Sequence, residues 1–187
     1  MRSAVETAIA AGDIDHLPWE TAFHEAGHVV AEVNGGSWPD GATIVGGEDF
    51  AGRTRTRSFI GTMHPPAGCD AAFRAAIEAR RDRMAVVLVA GRMAEFIALG
   101  EESAIIDDEM TAWTVYGDGD GTTDERQFRE LLEGLEDVDL GWWAEERFEQ
   151  AQSVLRTRWA DVERLACALI ERQTLSREDL WELLDPP

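Results

Sequence analysis

Thr21-Ala22-Phe23-His24-Glu25-Ala26-Gly27-His28-Val29-Val30-Ala31 carries the pattern His-Glu-x-x-His inside a stretch that reads as helix. Residues four apart on a helix lie one turn apart on the same face. The imidazoles of His24 and His28 can therefore reach one zinc ion at roughly 2.0–2.1 Å each. Glu25 follows the first histidine, so it sits beside the metal and off the line joining the two ligands. A carboxylate there can take a proton from a water activated by the metal. Phe23, Ala26, Val30 and Val33 recur at three- and four-residue spacing and give the same helix an apolar face for a core.

Working outward, Pro18 suits the first turn of this helix, and Gly35-Gly36 ends it near Asn34. Upstream, Ser3 and Glu6 have capping-box form, which predicts a short helix to Ala11 and a linker over Asp13 to Leu17. Downstream, Ala42-Thr43-Ile44-Val45 and Thr54 to Ile60 read as two strands of a small sheet, separated by glycines. Asp70 caps a long helical stretch to Leu99, for which a break is expected near Ala79–Arg83. Within it, Gly91 permits a close helix crossing. Glu101 to Asp120 reads mostly as loop. The spacing of Asp118 and Asp120 resembles the start of a calcium loop, but the later ligands are missing and calcium is not expected. Thr122 opens a helix through Leu135 with Phe128, Leu131 and Leu132 on its apolar side. One longer helix is predicted from Leu140 to about Gln173, along the stripe Trp142, Phe148, Leu155, Trp159, Val162, Ala166 and Leu169. Ser176 and Asp179 start a last short helix.

The chain has 187 residues, 44 % of them hydrophobic and 29 % charged, which fits one domain with a sizeable core. Its net charge is −20, from 37 acidic against 17 basic residues. That balance argues against sequence-independent binding to nucleic acid and against docking on anionic lipid. Cys69 and Cys167 form no C-x-x-C pair, so neither a cysteine metal site nor a redox pair is expected. No signal peptide or membrane-spanning run is visible, and a cytoplasmic setting with free thiols is expected.

Catalytic zinc usually takes three protein ligands and keeps one position open. A third histidine close after the motif is excluded, because Val29-Val30-Ala31 stands there. A glutamate from a later helix is another source, with Glu95 the candidate. His16 and His64 lie in predicted loops and read as surface histidines.

Four blocks make the next step specific: Thr21 to Ala31; Thr43-Ile44-Val45 with its glycine-containing turn; Val87-Leu88-Val89-Ala90-Gly91-Arg92-Met93-Ala94-Glu95; and Gly121-Thr122-Thr123-Asp124-Glu125-Arg126-Gln127-Phe128. Together they resemble the peptidase domain of the FtsH family, the ATP-dependent zinc metalloproteases. Leu165 to Leu184 resembles the family's C-terminal helices, so the likeness spans nearly the whole chain. The first block is the most specific and the strand block the least.

The resemblance implies a single zinc metallopeptidase domain over residues 1–187, mainly α-helical, with a small β element after the zinc helix. It implies Zn²⁺ held by His24, His28 and the aspartate that opens the later helix, which falls on Asp124. Glu25 is then the general base, and Glu95 a partner that orients a histidine ring. The stretch between Glu95 and Asp124 is longer than the family pattern, so Asp107 and Asp108 stand as alternatives for the third ligand. The family also carries a membrane anchor and an ATPase, and this sequence has no G-x-x-x-x-G-K-[ST] phosphate loop. The expectation is a stand-alone endopeptidase acting on protein or peptide substrates without its own ATPase. A separate ATPase partner would have to deliver folded substrates. A homo-oligomer, specifically a hexamer, is implied by resemblance alone. The competing reading is an FtsH-derived zinc-binding regulatory protein without turnover, which the presence of Glu25 disfavours.

Overall fold

The computed structural model describes residues 16–46, 52–55, 64–100, 123–133, 135 and 138–184. Among them the chain is mainly helical, with a small antiparallel sheet. The elements are α1 (His16–Asn34), β1 (Gly41–Thr43), β2 (Arg53–Arg55), α2 (Ala71–Leu99), α3 (Thr123–Leu132), α4 (Leu140–Thr157), α5 (Trp159–Arg172), β3 (Thr174–Ser176) and α6 (Arg177–Leu183). The predicted helix over Ser3–Ala11, the glycine-aspartate stretch at 117–121, and Asp107 and Asp108 all lie outside the described residues.

The helix with the histidine pair is central. Its apolar face, with Ala22, Phe23, Ala26, Val29, Val30 and Val33, is fully buried and packs against α2, α4 and α5. Phe23 lies between two indoles, 5.0 Å from Trp19 and 5.7 Å from Trp159, centroid to centroid. Each such side chain stabilises the fold by roughly 1.5–3 kcal/mol through burial, which fixes the rotation of α1 and hence the direction its histidines face. His16 belongs to the first turn of this helix rather than to a loop, and His64 is exposed.

α3 ends at Leu132, short of the expected Leu135, and two long helical stretches differ from expectation in where they break. The stretch over Ala79–Arg83 does not break, and α2 runs for 29 residues from its cap, where Asp70 accepts a hydrogen bond from the Phe73 N–H at 2.7 Å. Tertiary partners hold the polar middle in helix: Arg81 is buried, and Asp82 pairs at 2.8 Å with Arg147 of α4. Conversely, the single helix expected from Leu140 to Gln173 is two. Arg158 leaves helical geometry at φ −111°, ψ 27°, and α5 restarts at Trp159.

α3 has ten residues, too few to be stable alone in water. Phe128, Leu131 and Leu132 are buried, and the Phe128 ring sits 5.8 Å from Trp143 and 6.1 Å from Phe148 of α4. Packing therefore holds α3, and Asp124 stands one turn before its anchor Phe128.

The sheet has strand order β2-β1-β3, both pairs antiparallel, with Ala42 opposite Thr54 on one side and Leu175 on the other. The first strand is three residues, shorter than predicted. Of the second predicted strand only Thr54 and Arg55 fall within β2, and residues 56–60 lie outside the described residues. The third strand was not expected. Its Leu175 is fully buried, and the chain then enters α6 through a capping box between Ser176 and Asp179. No helix among the described residues is long and apolar enough to cross a membrane.

Candidate metal centre

The four-residue spacing on α1 puts His24 and His28 side by side, with ring centroids 4.6 Å apart. Each ring has one nitrogen tied down. Nδ1 of His24 donates to Glu95 Oε1 at 2.6 Å, and Nδ1 of His28 donates to the Val87 carbonyl at 2.8 Å. Both partners come from α2. With Nδ1 of each ring committed to its partner, each ring turns its Nε2 to the same point. The two Nε2 atoms are 2.9 Å apart, and Asp124 Oδ2 from α3 lies 3.0 Å from one and 3.2 Å from the other.

Three ligands on one tetrahedral zinc, each at about 2.05 Å, would stand roughly 3.3 Å apart. The observed triangle is a few tenths of an ångström tighter, so the three residues fit a single small cation. Three electron-pair donors aimed at one point repel one another unless a cation lies among them. Without a metal a proton must serve, and the titration of the site reflects this. Burial alone would push His24 down, but the hydrogen bonds to Asp124 and Glu95 and the charges of Glu95 and Glu25 carry it up to about 10. His28 is also raised, chiefly by Asp124 working against burial. Against their own burial, Asp124 is held below the usual carboxylate range by both histidines, and Glu95 by His24 and Arg92.

The approach of α2 is set by glycine. A Cβ on Gly27 would stand 2.4 Å from the Ala90 carbonyl oxygen, and one on Gly91 would stand 2.6 Å and 2.7 Å from Nε2 of His28 and His24. The predicted close crossing at Gly91 is thus a close approach to the Nε2 atoms of both histidines.

Glu25 is 4 % exposed. Burial raises its pKa, opposed by the charges of His28 and His24 and by a hydrogen bond from Thr54. Its carboxylate feels the charges of both histidines and Asp124 and is not among the three groups whose ligand-type atoms converge. The structure therefore brings together His24, His28, Asp124 and Glu25. Glu95 stands behind His24 and not among the three. No other described set of histidine, cysteine or acidic side chains converges in this way. Sequence reasoning missed the Val87 carbonyl, which no side-chain pattern reveals, and the contact of Thr54 with Glu25, which depends on how the sheet folds back.

No protein-family model and no curated protein matches the chain. The functional reading is carried by the residues themselves.

Proposed function

We propose that this chain is a zinc-dependent endopeptidase with an FtsH-peptidase-like fold, cleaving flexible polypeptides without an ATPase of its own. The observation that carries the reading is the convergence of three ligand-type atoms, two imidazole nitrogens from α1 and one carboxylate oxygen from α3, beside a buried carboxylate outside the three. His24, His28 and Asp124 would hold the metal. A set of two imidazoles and one carboxylate with a further position open suits catalytic zinc. When bound, zinc supplies Lewis acidity, lowering the pKa of a water and polarising a peptide carbonyl.

The chain's own residues do the rest. Glu95 and the Val87 carbonyl keep the protons of both histidines on Nδ1, and the Glu95 carboxylate makes the His24 ring a better donor. Glu25 takes a proton from the attacking water as its oxygen adds to the carbonyl carbon. It then returns that proton to the amide nitrogen as the C–N bond breaks. Burial raises the pKa of Glu25 and so makes it a stronger base for the first transfer.

Glu25→Gln tests the reading, since it keeps size and most hydrogen bonding and removes the base. Zinc content by metal analysis should stay at about one ion per chain. Hydrolysis of a broad peptide library should fall by at least about 10²-fold. Equal turnover by wild type and variant would show that the measured activity is not this site's. A fully zinc-loaded wild type that cleaves nothing leaves a zinc-binding protein without turnover. Folded substrates should resist cleavage unless a separate ATPase is added.

A further inference from the structure

The proposed mechanism uses Glu25 but leaves unexplained what aims it. α1 fixes its backbone, yet a glutamate has three rotatable side-chain bonds, and in a buried site its two oxygens must be told apart. The constraint comes from the sheet. Thr54, the middle residue of β2, donates its hydroxyl to Glu25 Oε2 at 2.7 Å, with the Glu25 backbone carbonyl also in reach at 3.2 Å. Two residues earlier is Gly52. Residues two apart in extended chain face the same way, and Gly52 lies against the other oxygen. A Cβ there would stand 2.7 Å from Glu25 Oε1 and 2.4 Å from Thr21 Cγ2. One position of this short stretch thus grips one carboxylate oxygen, and the other, by having no side chain, leaves room beside the second.

The strand is itself held from outside. Thr54 pairs with Ala42 of β1, and Ala42 pairs with the fully buried Leu175 of β3, so the register of the C-terminal segment is passed on to the residue touching Glu25.

We infer that Thr54 is a positioning residue for the general base: its hydroxyl occupies Oε2 and leaves Oε1, beside Gly52, as the oxygen that exchanges the proton with water and with the amide nitrogen. The inference rests on the peptidase reading. In each turnover one proton moves from water to Oε1 and one returns from Oε1 to the leaving nitrogen, while the Thr54 O–H keeps its own proton. No such role attaches to a threonine that merely fills a sheet, because a valine of the same shape would fill it equally well.

The test compares Thr54→Val, which keeps the shape and removes the hydroxyl, with Thr54→Ser, which restores it. In zinc-loaded protein, Thr54→Val should lower kcat by about tenfold or more with KM little changed, the pattern of a misaimed catalytic group. Thr54→Ser should recover most of the loss, and zinc content should be equal in all three. A second readout needs neither metal nor turnover. In zinc-free protein labelled with ¹³C at glutamate carboxyls, the Glu25 resonance is identified by its absence in Glu25→Gln. It should move in Thr54→Val and return in Thr54→Ser. Wild-type hydrolysis matched by Thr54→Val, a serine variant no better than the valine one, or an unmoved Glu25 resonance would each overturn the inference and leave the peptidase reading standing. A zinc-loaded wild type without hydrolysis overturns the peptidase reading, and the catalytic role of Thr54 with it.

Discussion

Two walls enclose the histidine pair, and they are built on different principles. One is helical: α1 supplies His24 and His28, α2 supplies Glu95 and the Val87 carbonyl, and α3 supplies Asp124. The other is a strand three residues long, whose Thr54 reaches Glu25. The helical wall handles the atoms that would hold a metal. The strand wall handles the carboxylate that would move a proton. On the proposed reading, metal binding and proton transfer would depend on different parts of the molecule and could be lost separately.

The sharpest way to break this division is to remove Asp124. Asp124→Ala takes one donor from a set of three and leaves two imidazoles whose Nε2 atoms are 2.9 Å apart. Zinc affinity, measured by competition with a chromophoric chelator, should fall by more than the roughly 10–100-fold that losing a ligand's supporting partner costs. Thr54→Val on the opposite wall should leave that affinity unchanged. An Asp124→Ala protein that binds zinc as wild type does would take Asp124 out of the ligand set.

The walls also differ in how far the sequence discloses them. The four-residue histidine spacing, the stripe from Phe23 to Val33, the Asp70 cap and the Ser176–Asp179 box are local patterns, and local hydrogen bonding and helix periodicity suffice to read them. Asp124 was reached only through family resemblance, because nothing local tells which of several acidic residues returns to α1. The break at Arg158 was hidden for a physical reason. The apolar stripe continues through it, and neither glycine nor proline marks it. Arg158 bonds Asp161 at 2.8 Å across the turn, and Trp159 is drawn onto Phe23. The false break at Ala79–Arg83 has the opposite cause. It was expected from length alone, and α2 runs unbroken for 29 residues because partners such as Arg147, paired with Asp82, hold its middle in place. The strand wall was least legible. Thr174–Ser176 looks like a linker between helices, and only its pairing with β1 reveals a strand. That pairing joins residues more than 130 apart in the chain, such as Ala42 and Leu175.

A smaller effect on the helical wall sharpens the comparison. Glu95 touches no other member of the donor triangle and acts through Nδ1 of His24 at 2.6 Å. Glu95→Gln can still accept that hydrogen bond, but it removes the negative charge that makes the ring more basic. Zinc affinity should fall by roughly 10–100-fold, less than for Asp124→Ala. Loss equal to that of Asp124→Ala would mean that Glu95 ligates directly.

The last effect is a pH dependence, modest over any one pH unit, and its sign follows from which cation sits among the donors. In metal-free protein His24 is raised from its ordinary 6.5 to about 10, so folding favours its protonated form. A raised folded-state pKa gives stability that is complete below about 6.5 and is lost as pH climbs through about 10. Asp124 and Glu95 are shifted the other way. Their contribution is present above the ordinary carboxylate values and is lost in acid as their lowered folded values are approached. Glu25, raised by burial, opposes them. Metal-free protein should therefore weaken steadily from near neutral pH toward pH 10, while zinc-loaded protein, in which the metal replaces the proton, should not. The gap between the melting temperatures of zinc-loaded and chelator-treated protein should widen over that range. Apparent zinc affinity should rise by about tenfold per pH unit for each histidine proton that leaves on binding, with His24 and His28 the groups that carry them. The same slope is expected in Thr54→Val, because the strand wall takes no part in this exchange. A gap that narrows with rising pH would show that His24 does not carry the proton, and a slope altered by Thr54→Val would show that the two walls are not separate.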